Sequence, residues 1–307
     1  MDKHNKRLHE LCSCVEPENI FVEIKKIISC IFASFDFTAL ERLHVDITRL
    51  FRGNYPGYRA SNTAYHDVNH TYLVVLALIR IIHGLRLNGT EFTPRQVQLA
   101  VYCAFFHDTG LIQRQNDREG TGAKYTIGHE ERSINLLKEY FDQAELSDDE
   151  LHDCSQMIRC TILAERPAEL HFHNEKMRIL GYVLGTADIT AQMADRQYLE
   201  KLPSLFNEFQ EGGLAADYIS ELELLEKTDE FYNSIAIKRL NEDFQGIAAN
   251  VKAHFQERWG IDEDLYAGAI EQNMFYLRGL CETCQKKIDC YQKQLRRRAG
   301  VNVTGGR

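Results

Sequence analysis

Apolar residues return at intervals of three and four along most of the chain, the period of a helix that buries one face. Ile20, Ile24, Ile27, Ile28 and Ile31 form one such stripe, and Leu40, Leu43, Ile47 and Leu50 form a second. Asn54-Tyr55-Pro56-Gly57 then signals a turn. From Asn69 to His83 the pattern is strongly apolar, with Leu73, Leu76, Ala77 and Ile81 on one face. Thr93-Pro94 predicts a helix start, a hydroxyl cap followed by proline at the first helical position. That helix runs to about His107, with Val97, Ala100, Val101, Ala104 and Phe105 inward, and Thr109-Gly110 breaks it. Residues 113–124 are polar and contain glycine, so they read as a surface loop. Helical spacing resumes at His129, through Ile134, Leu137 and Phe141. Ser147 and Glu150 make a capping box ahead of Leu151, Cys154, Ile158 and Ile162. Asn174 caps a further helix, with Met177, Leu180, Val183, Leu184 and Ala187 inward and Asp188 beside that stripe. Residues 195–295 are helical in spacing, interrupted at Gly212-Gly213 and Trp259-Gly260. No alternating run is long enough to make a sheet, so the expected class is all-α.

Composition narrows the functions available. The chain has 307 residues, 44% of them hydrophobic, which is enough for a sizeable core. Its 36 basic and 45 acidic side chains give a net charge of −9, and this argues against a general nucleic-acid binder. A small anionic substrate stays open, because a metal ion can supply positive charge locally. The polar start, Met1 to Lys6, leads into no apolar run of a secretory leader. The longest apolar candidate, Leu73 to Ile82, is about half a bilayer span and contains Arg80. A cytoplasmic protein with no membrane partner is expected. Its nine cysteines are then expected to be free thiols, including Cys12, Cys14, Cys281, Cys284 and Cys290.

The chemistry-bearing residues lie at three separated places. His66 and His70 are four apart, in or just before the first turn of a helix, and so share a side. His107 and Asp108 are adjacent, and both reach one site only where the helix ends, as Thr109-Gly110 implies. Asp188 sits near an apolar face, where an unpartnered carboxylate is expensive and a metal would resolve the cost. Imidazoles mixed with carboxylates suit zinc, manganese or iron, whereas magnesium leans further toward oxygen. Singly, each of these residues reads as an ordinary structural histidine or a helix cap. Other motifs are weaker. Gly120 to Thr126 lacks the Gly-Lys pair of a phosphate loop. Arg114, Arg118 and Lys124 follow the His-Asp pair and could meet phosphate oxygens. His171 and His173 flank Phe172 and point one way if extended.

In order and context, these residues resemble the HD-domain metal-dependent phosphohydrolases. Tyr65-His66-Asp67-Val68-Asn69-His70 is similar to the Tyr-His-Asn-x-x-His motif of class I cyclic nucleotide phosphodiesterases. Phe106-His107-Asp108 resembles their Phe-His-Asp, and Ala187-Asp188-Ile189 their Ala-Asp-Leu. Gly128-His129-Glu130 falls where they have Asn-His-His. The sequence departs from the pattern at Asp67, at Leu111 where the family has histidine, and at Ala191 where it has asparagine.

The resemblance implies a helical bundle with a metal site in a central pocket. The expected division is an N-terminal helical extension at 1–57, closed by the turn signal, the phosphohydrolase domain at 58–280, and a C-terminal helix end with a basic tail at 281–307. The resemblance implies His70, His107, Asp108 and Asp188 as metal ligands, with Asp108 bridging to a second divalent ion. His66 would be the general acid, and His129 would line the site. Gln192 and Phe231 are the nearest candidates for holding a substrate ring. The implied reaction is hydrolysis of a phosphoester, most plausibly a cyclic nucleotide, by metal-activated hydroxide. Two metals about 4 Å apart can clamp a phosphoryl group for in-line attack, and a histidine can protonate the departing alkoxide at neutral pH. A nucleotidase or phosphomonoesterase of the same superfamily is the first alternative. A non-catalytic helical module that keeps the metal as a staple is the second. A homo-oligomer is left open.

Overall fold

In the computed structural model, which describes residues 7–11, 16–141, 145–214 and 218–295, the fold is all-α. The helices run in chain order as α1 (Pro17–Ile31), α2 (Thr38–Phe51), α3 (Val68–Leu87), α4 (Pro94–Phe106), α5 (His129–Tyr140), α6 (Asp148–Arg159), α7 (Glu175–Ala194), α8 (Tyr198–Glu211), α9 (Glu221–Phe231), α10 (Val251–Trp259), α11 (Leu265–Cys284) and α12 (Ile288–Gln294). Among the described residues no strand forms, and a single bridge joins Tyr58 to Arg114.

Helices α3 and α7 pack against each other at the centre. Around α3 lie α1, α4 and α10; around α7 lie α4, α6 and α11. By length and composition α3 could cross a membrane, contrary to the half-span reading of Leu73 to Ile82. Yet 83% of its most apolar window is buried inside the protein, so it serves as the core helix. Its one charged interior residue, Arg80, donates to the Tyr266 hydroxyl at 3.1 Å. The Arg80 guanidinium also lies 5.6–5.9 Å from the ring centres of Phe255, Trp259 and Tyr266. These contacts tie α3 to α10 and α11, and such ring contacts strengthen once water is excluded. At Gly84 a Cβ would stand 1.9 Å from the Asn250 carbonyl oxygen, so only glycine lets the start of α10 lie this close.

Local chemistry sets the helix boundaries. Thr93 and Ser147 each complete a capping box, with Gln96 and Glu150 respectively. Asn174 accepts from the backbone N–H groups of Lys176 and Met177. The Ile20–Ile31 and Leu40–Leu50 stripes are buried, with α1 against α3 and α2 against α4. The cysteine expectation needs correction at one place: Cys284 and Cys290 form a disulfide that closes the turn between α11 and α12. Cys281 is free, while Cys12, Cys14 and the basic tail from Arg296 lie outside the described residues.

Candidate metal centre

Each cluster residue stands at a helix end or on a helix face that the sequence builds locally. Asp67 caps α3, and its Oδ1 accepts the backbone N–H of His70 at 2.8 Å. The residue that departs from the phosphodiesterase pattern therefore orients the first turn that carries His70. Helix α4 ends at His107, and its last carbonyls need partners. Thr109 Oγ1 donates to the Phe106 carbonyl at 2.7 Å. The buried Ser133 hydroxyl of α5 donates to the His107 carbonyl at 2.6 Å and accepts the Gly110 N–H at 2.8 Å. This arrangement turns the His107 and Asp108 side chains to the same side. It also draws in the start of α5: a Cβ on Gly110 would stand 1.9 Å from the His129 carbonyl oxygen. Asp188 comes from the centre of α7.

The side chains converge tightly. His70 Nε2 lies 3.3 Å from both Asp108 Oδ2 and Asp188 Oδ1. His107 Nε2 lies 3.1 Å from Asp108 Oδ2 and 3.7 Å from Asp188 Oδ1. The other oxygen of Asp108, Oδ1, faces His129 Nε2 at 3.2 Å. One carboxylate thus presents its two oxygens to two sets of imidazoles. Ligand atoms of His70, His107 and Asp108 all lie within 4.8 Å of one another, and the three residues are buried.

Two of the imidazoles have their tautomer set from behind. His107 Nδ1 sits 2.8 Å from the Ala104 carbonyl, and His129 Nδ1 sits 2.8 Å from the Thr126 carbonyl. A carbonyl only accepts, so Nδ1 carries a proton, and whenever the ring is neutral it is Nε2 that turns a lone pair toward the carboxylates. His107 Nε2 and Asp108 Oδ2 are both buried and make no hydrogen bond. Two inward-facing polar atoms, buried and unsatisfied, are what a bound cation would relieve.

Electrostatics point the same way. Burial alone would raise the pKa of Asp108; the imidazoles of His107, His129 and His66 outweigh it and hold the carboxyl well below its usual range. Burial would lower the pKa of His70, but Asp108 and Asp188 overcome it and raise the group to about 10. His129 is raised to about 9, again against burial and mainly by Asp108. The site demands positive charge, which protons supply when no metal does. These buried His and Asp groups could hold a metal ion.

His66 stands beside this cluster. Its ring centre is 5.9 Å from that of His70 and 6.3 Å from that of His129. Its Nδ1 lies 2.6 Å from Oε2 of Glu208, which comes from α8. Oε1 of Glu208 accepts the Tyr65 N–H at 2.7 Å, so both carboxylate oxygens are used. Glu208 was missed in the sequence because no spacing or motif marks it. Glu130, next to His129, is also part buried, and burial raises its pKa.

Not every candidate reaches the centre. The structure brings together His66, His70, His107, Asp108, His129 and Asp188. Gln192 lies one turn beyond Asp188, where its Oε1 accepts from the Tyr65 hydroxyl at 2.8 Å. With Tyr65, His70 and Lys201 it lines a void of about 10 Å³, too small for a substrate ring. Phe231 ends α9 and packs half-buried against the core, with no described contact to the cluster. Two of the basic loop residues are also engaged elsewhere. Arg114 pairs with Glu139 at 2.6 Å and stacks on Tyr58, and Lys124 pairs with Asp117 at 2.6 Å. The loop itself is tied down, because Thr121 bonds to Glu211 and Gly122 N–H donates to Asn62 Oδ1.

Residues 56–253, nearly all of this site and its supporting helices, match the model of the Npun_R2479-like family. The chain belongs to that family. No curated protein matches it.

Proposed function

For this member of the Npun_R2479-like family, we propose metal-dependent hydrolysis of a phosphoester, with a 3′,5′-cyclic nucleotide as the first substrate to test. The observation that carries the reading is the convergence of His70, His107, Asp108 and Asp188 beside a histidine that a buried carboxylate holds in place. That set follows the order of the HD-domain phosphohydrolases, and this supports the same chemistry here.

In this reading His70, His107, Asp108 and Asp188 hold one divalent ion, and Asp108 Oδ1 with His129 offers a place for a second. Zinc, manganese, iron and magnesium are the candidates. Bound metal would supply Lewis acidity toward a phosphoryl oxygen and an activated water. The remaining work falls to the chain itself. The carbonyls behind His107 and His129 hold Nδ1–H, so that the Nε2 atoms are the ones aimed inward and would carry the lone pairs that meet a bound metal. Glu208 Oε2 accepts the Nδ1 proton of His66, so a proton on Nε2 is free to pass to the leaving oxygen.

A nucleotidase or phosphomonoesterase is the second reading, favoured by one observation. Gln192, the candidate for gripping a purine, has its carbonyl oxygen occupied by the Tyr65 hydroxyl. A panel of 5′-nucleotides against cyclic nucleotides separates the two. Metal bound with no hydrolysis across the panel would instead favour the non-catalytic module.

A further inference from the structure

A second group of metal-type side chains lies away from this centre, between α6 and the segment that leads into α7. His173 stands between two carboxylates of α6. Its Nδ1 is 3.2 Å from Asp153 Oδ1, and its Nε2 is 3.1 Å from Asp149 Oδ1. Asp149 and Asp153 are four apart and His152 is three beyond Asp149, so all three lie on one face of α6. The rings of His152 and His173 meet edge to face, 5.1 Å between centres. Ligand atoms of His152, Asp153 and His173 all lie within 4.8 Å of one another.

The backbone prepares this cluster. His152 Nε2 lies 2.9 Å from the carbonyl of His171, which only accepts, so Nε2 carries the proton and Nδ1 keeps a lone pair. Asp153 is buried, and its Oδ1 also accepts the His173 backbone N–H at 2.9 Å. It is therefore fixed, while Asp149 and His152 face solvent, where an ion can enter. Donor atoms of a tetrahedral zinc site stand about 3.3 Å apart, given bonds of about 2.0–2.1 Å. The His173 Nδ1–Asp153 Oδ1 spacing of 3.2 Å already matches that figure, whereas Asp149 faces the opposite ring nitrogen of His173 and lies outside the group.

We propose that His152, Asp153 and His173 bind a borderline divalent transition metal of the zinc type. Two imidazoles with a carboxylate are a donor set for such an ion. The ion would staple residues 171–173 to α6, immediately before the Asn174 cap of α7, the helix that carries Asp188.

Titration of the metal-stripped full chain with Zn²⁺ alone, followed by calorimetry, tests this. Wild-type protein should take up one equivalent more than His173→Ala and one more than His152→Ala, or bind that equivalent at least about tenfold more tightly. His152 is exposed, so its variant tests binding without a threat to folding. His171→Ala keeps the backbone carbonyl and should match wild type. Equal uptake by wild type, His152→Ala and His173→Ala would overturn the proposal. So would loss of the same equivalent in His171→Ala, since that would mean capture by loose loop histidines.

Discussion

His66 and Glu208 stand 142 residues apart in the chain and 2.6 Å apart in the fold, imidazole Nδ1 against carboxylate Oε2. The same carboxylate holds the Tyr65 N–H with its other oxygen, so it fixes both the backbone and the ring of the motif. Glu208→Gln can keep the Tyr65 contact but cannot accept a proton from Nδ1. Loss of kcat of roughly 10- to 100-fold is expected, with metal content unchanged. His66→Ala should lose more, about 10²- to 10⁴-fold, again with metal retained. Metal loss in His66→Ala would move His66 into the ligand set and sink the acid assignment.

Asp67 predicts a second, local effect. Removing a side-chain cap costs about 1 kcal/mol of stability. Here the capped N–H belongs to His70 itself, so Asp67→Ala should also weaken metal binding, while Asp67→Asn should keep both properties. Denaturant unfolding with metal analysis reads the two together. A variant that loses stability but binds metal as wild type would separate the cap from the site.

Much of the fold was legible because it rests on short-range physics. The Ile20–Ile31 stripe, the Thr93-Pro94 start and the Ser147 and Asn174 caps are relations within one or two turns. The set His70, His107, Asp108 and Asp188 is legible by resemblance and by residue type, and the structure brings the four side chains together. Glu208 was not legible, because a single glutamate in an amphipathic helix looks solvated until α8 is placed against Tyr65. The partner of Gln192, the Tyr65 hydroxyl, is not legible for the same reason: it comes from another element. The Cys284–Cys290 disulfide is not legible from the expected compartment, because it depends on the turn that brings the ends of α11 and α12 together.

Gly110 makes a prediction that touches no ligand. The Gly110→Ala methyl would collide with the His129 carbonyl, so α5 must move outward. Overpacking of this kind costs about 1–3 kcal/mol. It should also draw His129 away from Asp108 and lower turnover. Unchanged stability and activity in Gly110→Ala would show that the close approach is not needed.

The raised pKa values of His70 and His129, about 10 and 9, set a pH dependence for the metal-stripped protein. Both lie above the unfolded value of about 6.5. Their contribution to stability is therefore complete below about pH 6.5 and is lost as pH rises through 9 and 10. Metal displaces those protons, so metal affinity should rise with pH over the same window. Thermal melts of stripped protein should fall from pH 6.5 to 10, and His70→Gln should flatten the fall. A stripped protein equally stable across that range would contradict the carboxylate-held imidazolium.

The most direct test of the central claim is hydrolysis as metal is returned to the stripped chain. A phosphoester panel of cyclic nucleotides, 5′-nucleotides and a generic diester would be assayed alongside metal content. Activity should be absent without metal, should rise with occupancy of the His70–Asp188 centre, and should stay absent in His107→Ala/Asp108→Ala. Full turnover by the stripped chain or by that double variant would contradict the account, as would a fully loaded centre that hydrolyses nothing on the panel.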